Sequence, residues 1–143
     1  MGLVQSIAAV LRRSARSFPA EFKTPRERGE HGEKCAARYL RRRGYRVLYR
    51  NYRVTRGEID LVCRDGDVLA FVEVKTRQND RFGQPSESVD FRKQRRISRA
   101  ADAYLKELGN PEIYYRFDIV EVLWRPDSAE PECRLIQNAH EKL

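Results

Sequence analysis

Residues 58–77 read EIDLVCRDGDVLAFVEVKTR, two apolar stretches joined across Asp65-Gly66-Asp67. A glycine flanked by aspartates between apolar runs is a hairpin signal, and a two-residue loop falls on either Asp65-Gly66 or Gly66-Asp67. In both registers Ile59, Leu61 and Cys63 share one side with Val72 and Val74, while Asp60 shares the other with Phe71, Glu73 and Lys75, because strand side chains alternate. In the second register Asp60 stands directly opposite Glu73. Two carboxylates so placed lie within roughly 5 Å of each other and repel. On a wet sheet face Lys75 would simply neutralise one of them. The flanks ILVC and VLAFVEV are too apolar for that and indicate a sheet covered on both faces. A divalent cation relieves the repulsion: Mg²⁺ accepts one or two carboxylates and keeps its other positions for water and substrate phosphate. Lys75, on the same face as Glu73, is then placed to orient or deprotonate an attacking water and to steady charge on a phosphate.

Upstream, GEKCAARYLRRRG reads as a helix with Ala36, Ala37 and Leu40 on an apolar stripe and Gly44 as its C-terminal cap. Glu33 lies near the centre of that stripe, one turn before the alanines, and offers a third inward carboxylate. YRVLYRNY alternates as a strand and turns near Thr55-Arg56-Gly57 into the hairpin. Downstream, the polar loop from Gln78 to Ser88 precedes a helix within VDFRKQRRISRAADAYLKEL, whose apolar face is Ile97, Ala100, Ala101, Tyr104, Leu105 and Leu108. YYRFDIVEVLW is a further strand, and CRLIQNA reads as a last one. The order is helix, three strands, helix, strand, which makes an α/β domain.

With 143 residues the chain fits one domain. Residues 1–28 are expected to form a flexible basic extension and 29–143 a single folded domain. The opening MGLVQSIAAVLRRSARSF matches a short acylation pattern and resembles a transit peptide in composition, but is expected to be a frayed or weakly helical basic extension ended by Pro19. No apolar run reaches the roughly 20 residues of a membrane span, so no membrane partner is expected. The three cysteines lack C-x-x-C spacing, which argues against a disulfide framework or zinc site and for a reducing, cytoplasmic setting. His31 and His140 show no metal-ligand spacing. Formal net charge is +8, and Arg38 to Arg56 holds eight arginines and no acid, with Tyr39, Tyr45, Tyr49 and Tyr52 interleaved. Guanidinium groups and flat rings on one segment suit a nucleic-acid backbone, through phosphate contact and stacking.

GEIDLV followed by FVEVKTR resembles the Asp and Glu-x-Lys signature of the PD-(D/E)xK nucleases, which have a restriction-endonuclease-like fold. More closely, GEHGEKCAARYLRRRGYRVLYRNYR, GEIDLV, FVEVKTR, KQRRISRAADAYL and RFDIVEV together resemble the YraN-like (UPF0102) family of small bacterial proteins, itself similar to archaeal Holliday-junction resolvases. The resemblance runs from about Gly29 to Val122, and Ile59-Asp60 stands where the signature has Pro-Asp. It implies a mixed β-sheet flanked by helices. It also implies metal-binding carboxylates at Asp60 and Glu73, a catalytic Lys75 and an assisting Glu33. The activity implied is Mg²⁺- or Mn²⁺-dependent hydrolysis of DNA phosphodiester bonds, structured or branched DNA included. Binding of the DNA backbone is assigned to Arg38, Arg41, Arg42, Arg53 and Arg56, with Lys93, Gln94 and Arg96 opening the second helix. Action on a two-fold junction would call for a homodimer. The rival expectation is a nucleic-acid-binding module on a nuclease-like scaffold.

Overall fold

The computed structural model describes residues 6, 7, 27–77, 90–123 and 130–143. The polar loop from Gln78 to Ser88 and most of the basic extension lie outside the described residues. The elements are α1 (Glu27–Arg42), β1 (Arg46–Val54), β2 (Gly57–Asp65), β3 (Val68–Arg77), α2 (Phe91–Glu107), β4 (Tyr114–Leu123) and β5 (Glu132–His140). One five-stranded sheet runs in the order β1-β2-β3-β4-β5. Neighbours are antiparallel except β3 and β4, which are parallel because α2 carries the chain back across the sheet. This is the mixed sheet flanked by helices expected of a restriction-endonuclease-like fold, with CRLIQNA inside β5.

Local chemistry sets the helix ends. Gly44, at φ +90, ends α1 in a Schellman turn, with Tyr45 N donating to Leu40 O and Gly44 N to Arg41 O, each at 3.0 Å. Asp90 caps α2 by accepting from Arg92 N at 2.8 Å. The helices then cover opposite faces of the sheet. Beneath α2, Ile97, Ala100, Ala101 and Tyr104 pack with Tyr52, Val62, Leu69, Phe71 and Phe117, and Ile7 is buried in the same cluster. Beneath α1, Cys35, Ala36, Ala37 and Leu40 pack with Leu61, Cys63, Val72, Val120 and Val122. Both faces are thus covered, as the apolar flanks of the hairpin indicated.

The hairpin uses the second register: Asp65 pairs Val68 across a Gly66-Asp67 loop, with Gly66 at φ +58. The expected sharing of faces holds for Leu61, Cys63 and Val72 but not for Ile59, which lies under α2 with Phe71. Nor does Asp60 pair with Glu73, since the β2–β3 ladder stops at Leu61–Val72. The cause is a change of face shared by two strands. Asn51 sits opposite this point on β1 at φ +53, a left-handed conformation that asparagine tolerates and that turns the strand over. Tyr49 and Tyr52, three residues apart, consequently both point towards α2.

Candidate functional site

Asp60 occupies that change of face, where β2 parts from β3. Its Oδ2 accepts from Val74 N at 2.8 Å, so the carboxylate reaches the next strand's backbone instead of standing across from Glu73. Glu73 is buried, and its Oε1 lies 2.9 Å from Lys93 Nζ on α2. Glu33 comes from the other layer: Asn51 Nδ2 donates to its Oε2 at 3.0 Å, fixing the side chain over the kink. The close packing of Gly32 on the Thr76 side chain sets α1 low over the end of β3. Carboxylates from α1, β2 and β3 therefore converge on one end of the sheet.

The charges act in pairs: Asp60 raises Glu33, and Glu73 raises Asp60. Burial pushes the Asp60 carboxyl up to about 6, with Glu73 and Glu58 adding to the rise and Val74 N–H and Lys93 opposing it. Burial, and next the charge of Asp60, raises Glu33 to about 7, against Asn51, Arg50 and Arg53. Burial lowers Lys75, which Glu73 and Glu121 partly restore. Lys93 loses from burial but gains more from Glu73 and Asp60, and its net shift is upward. Among the described residues, no group of three or more His, Cys, Asp or Glu side chains is assembled as a ready-made metal cage. The donors present are hard carboxylate oxygens, which suit Mg²⁺ or Mn²⁺ held by one or two carboxylates with water completing the shell.

The residues expected to touch nucleic acid divide into groups. Arg38, Arg41 and Arg42 are exposed along α1, and Arg53 and Arg56 are exposed on β1 and its turn. Arg96 pairs with Glu58 at 3.2 Å. Lys93 joins the carboxylates, and Gln94 is buried against the sheet.

The model of the family described as "Uncharacterised protein family UPF0102" matches residues 32–122. A UPF0102 protein of Symbiobacterium thermophilum is 53% identical over 111 residues, which are 78% of this chain and 93% of that protein. One from Caldicellulosiruptor saccharolyticus is 40% identical over 114 residues, covering 80% of this chain and 97% of that one. The chain belongs to the UPF0102 family. The stretch of this UPF0102 protein matched by the family model contains Glu33, Asp60, Glu73, Lys75 and Lys93.

Two further polar clusters of this UPF0102 chain escaped the sequence reading. Glu121, fully buried on β4, is paired across the strands with Lys75 and lies between Arg134 at 2.7 Å and Arg77 at 3.6 Å. Asp118, also fully buried, accepts from Tyr45 Oη at 3.1 Å, Arg116 Nε at 3.0 Å and Asn138 N at 2.9 Å. Arg116 reaches on to Asp65 at 2.6 Å. The signal for both was an acid inside an apolar strand, FDIVEVL, the same pattern that singles out Glu73 in VLAFVEVK.

Proposed function

We propose that this protein is a Mg²⁺- or Mn²⁺-dependent endonuclease that hydrolyses DNA phosphodiester bonds, with structured or branched DNA as its substrate class. The observation that carries the reading is that Asp60 is held on Val74 N and Glu73 is buried one residue before it, at the end of β3 that also bears Lys75, with Glu33 held nearby by Asn51. Asp60 and Glu73 hold the ion. A bound divalent cation supplies Lewis acidity at the scissile phosphate. Lys75 orients the attacking water and steadies charge growing on the phosphate, and its lowered pKa eases proton exchange with that water. Glu33, held by Asn51, assists at the edge of the site. The exposed arginines of α1 and β1 hold backbone phosphates, which fix position without reading bases. The branched-DNA preference follows from the resemblance to junction resolvases, as does the homodimer that a two-fold substrate would require.

One observation favours a second reading. Lys93 already neutralises Glu73 without any metal, as a binding module on a non-catalytic scaffold would need. Incubating the protein with four-way junction, flap, linear duplex and single-stranded DNA in Mg²⁺, Mn²⁺ or EDTA separates the two. The nuclease cuts with metal and stops in EDTA. Binding without cleavage under every metal condition establishes the module instead. Linear duplex cut as fast as any junction removes the structural preference and leaves the nuclease.

A further inference from the structure

Glu73 is 5% exposed, and a carboxylate so deep in a sheet needs a cation close by. Its partner comes from the first turn of α2, where Lys93 Nζ sits 2.9 Å from Oε1. The same ammonium also attracts Asp60 and Glu58. Lys93 thus sits in direct contact with Glu73 and within the field of Asp60, the two carboxylates to which the ion is assigned. The lysine side chain is 39% exposed, so a way into solvent is open to it. Its backbone, in contrast, is tied down, because Asp90 caps the helix through Arg92 N. Any exchange therefore moves a flexible four-carbon stem and leaves the helix in place.

Resting on the metal-dependent reading above, we propose that Lys93 is a built-in counter-ion. It occupies the Asp60–Glu73 site in the metal-free protein, and an entering divalent cation displaces it. Two cations cannot share Glu73 Oε1 without strong repulsion, so metal binding must include the work of moving the ammonium away. Once displaced, Lys93 stays tethered beside the site and can meet a nucleic-acid phosphate. The pairing thereby couples metal entry to a gain of positive charge facing the substrate.

Calorimetric Mn²⁺ titration of the full chain tests this with wild type, Lys93→Met, Lys93→Arg and the control Asp60→Asn. Removing the competing charge should tighten Mn²⁺ binding about tenfold in Lys93→Met, the low end of what one neighbouring charge does to an equilibrium. Lys93→Arg, which keeps a cation there, should stay within about twofold of wild type. In EDTA, Lys93→Met should melt below wild type and gain more from added Mn²⁺, since its carboxylates then repel unopposed. Should Lys93→Met fail to fold, Lys93→Gln makes the same comparison. Mn²⁺ affinity in the neutral variant equal to or weaker than in wild type overturns the counter-ion and leaves the metal site standing. Absence of Mn²⁺ binding in every variant, wild type included, removes the metal site and the counter-ion together.

Discussion

At the scale of single residues, the roles proposed for Asp60 and Lys75 differ, so their replacements should separate. Asp60→Asn removes a ligand charge, so metal-dependent cleavage should vanish while DNA binding in EDTA holds or tightens, since a negative charge facing phosphate has gone. Lys75→Met keeps the length of the side chain without its charge. Metal affinity should persist and the cleavage rate fall by about 10²-fold, the size of one electrostatic or proton-transfer contribution. Calorimetry alongside a cleavage assay reads both. An ordinary surface ion pair at Lys75 would instead cost at most about 1 kcal/mol of stability and leave cleavage untouched. Glu33 adds a pH dependence. Burial first, then Asp60, raises it from 4.5 to about 7, so the folded protein holds this proton more tightly than the unfolded chain does. Its stabilising contribution is complete below the unfolded value and is lost as pH rises through about 7; Asp60, raised from 3.8 to about 6 by burial, acts in the same sense over a lower window. Melting temperatures in EDTA should therefore fall from about pH 4 to about pH 7 on account of these two groups, and Glu33→Gln should flatten the upper part of that fall. Glu33 is partly exposed, which limits the size of the effect.

At the scale of elements, two contacts tie helices and strands together, one beside the site and one away from it. Gly57, at the start of β2, lies so close to α2 that an added Cβ would stand 2.7 Å from Arg96 O and 2.9 Å from Ala100 N. These are backbone atoms of a regular helix and cannot rotate aside. Gly57→Ala should destabilise by about 1–3 kcal/mol in denaturant unfolding, and, by lifting α2, should loosen Lys93 from Glu73 as well. At the other contact, Tyr45, just past α1, and Asn138 of β5 both donate to Asp118 of β4, binding three elements through one carboxylate. Asp118→Ala leaves the buried Tyr45 hydroxyl and Asn138 N without this acceptor, while Arg116 keeps Asp65, and should cost about 3 kcal/mol, the upper end for unsatisfied buried donors. That loss should appear in thermal melts, with cleavage per folded molecule little changed, because Asp118 touches none of the candidate catalytic groups.

At the scale of the whole molecule, the net charge of +8 is unevenly placed. Arg50 and Arg53 act on Glu33 near the carboxylates, whereas Arg38 and Arg42 act on Cys133 of β5, so the arginine run reaches across the α1 side of the sheet. A surface that neutralises about five phosphates gives a slope of log affinity for duplex DNA against log salt of about −4 to −5. Fluorescence anisotropy across a salt series measures this, and a flat response would rule out a backbone-binding role. Single Arg→Ala changes at Arg38, Arg41 or Arg53 should weaken binding to all sequences alike. Among the described residues no helix is long and apolar enough to cross a membrane.

The sequence by itself determined the order of elements, the hairpin with its short loop, the apolar faces of both helices, and the family. Each of these is local information, carried by periodicity, turn residues and consecutive motifs. Glu33, Asp60, Glu73 and Lys75 were legible for a related reason: charges inside apolar runs stand out against their neighbours. What stands around those charges was decided only by tertiary structure. Strict alternation placed Asp60 opposite Glu73 and Ile59 with Leu61, but the left-handed Asn51 turns β1 and β2 over together, and nothing in a period-two pattern records that. The partner of Glu73 is Lys93, which comes within 2.9 Å only because the parallel β3–β4 crossover lays α2 across the sheet. Glu121 and Asp118 read as strand residues until β5 and α1 close over them. A buried charge draws its partner from whichever element packs beside it, and that choice belongs to the packing of the layers, which a linear sequence does not display.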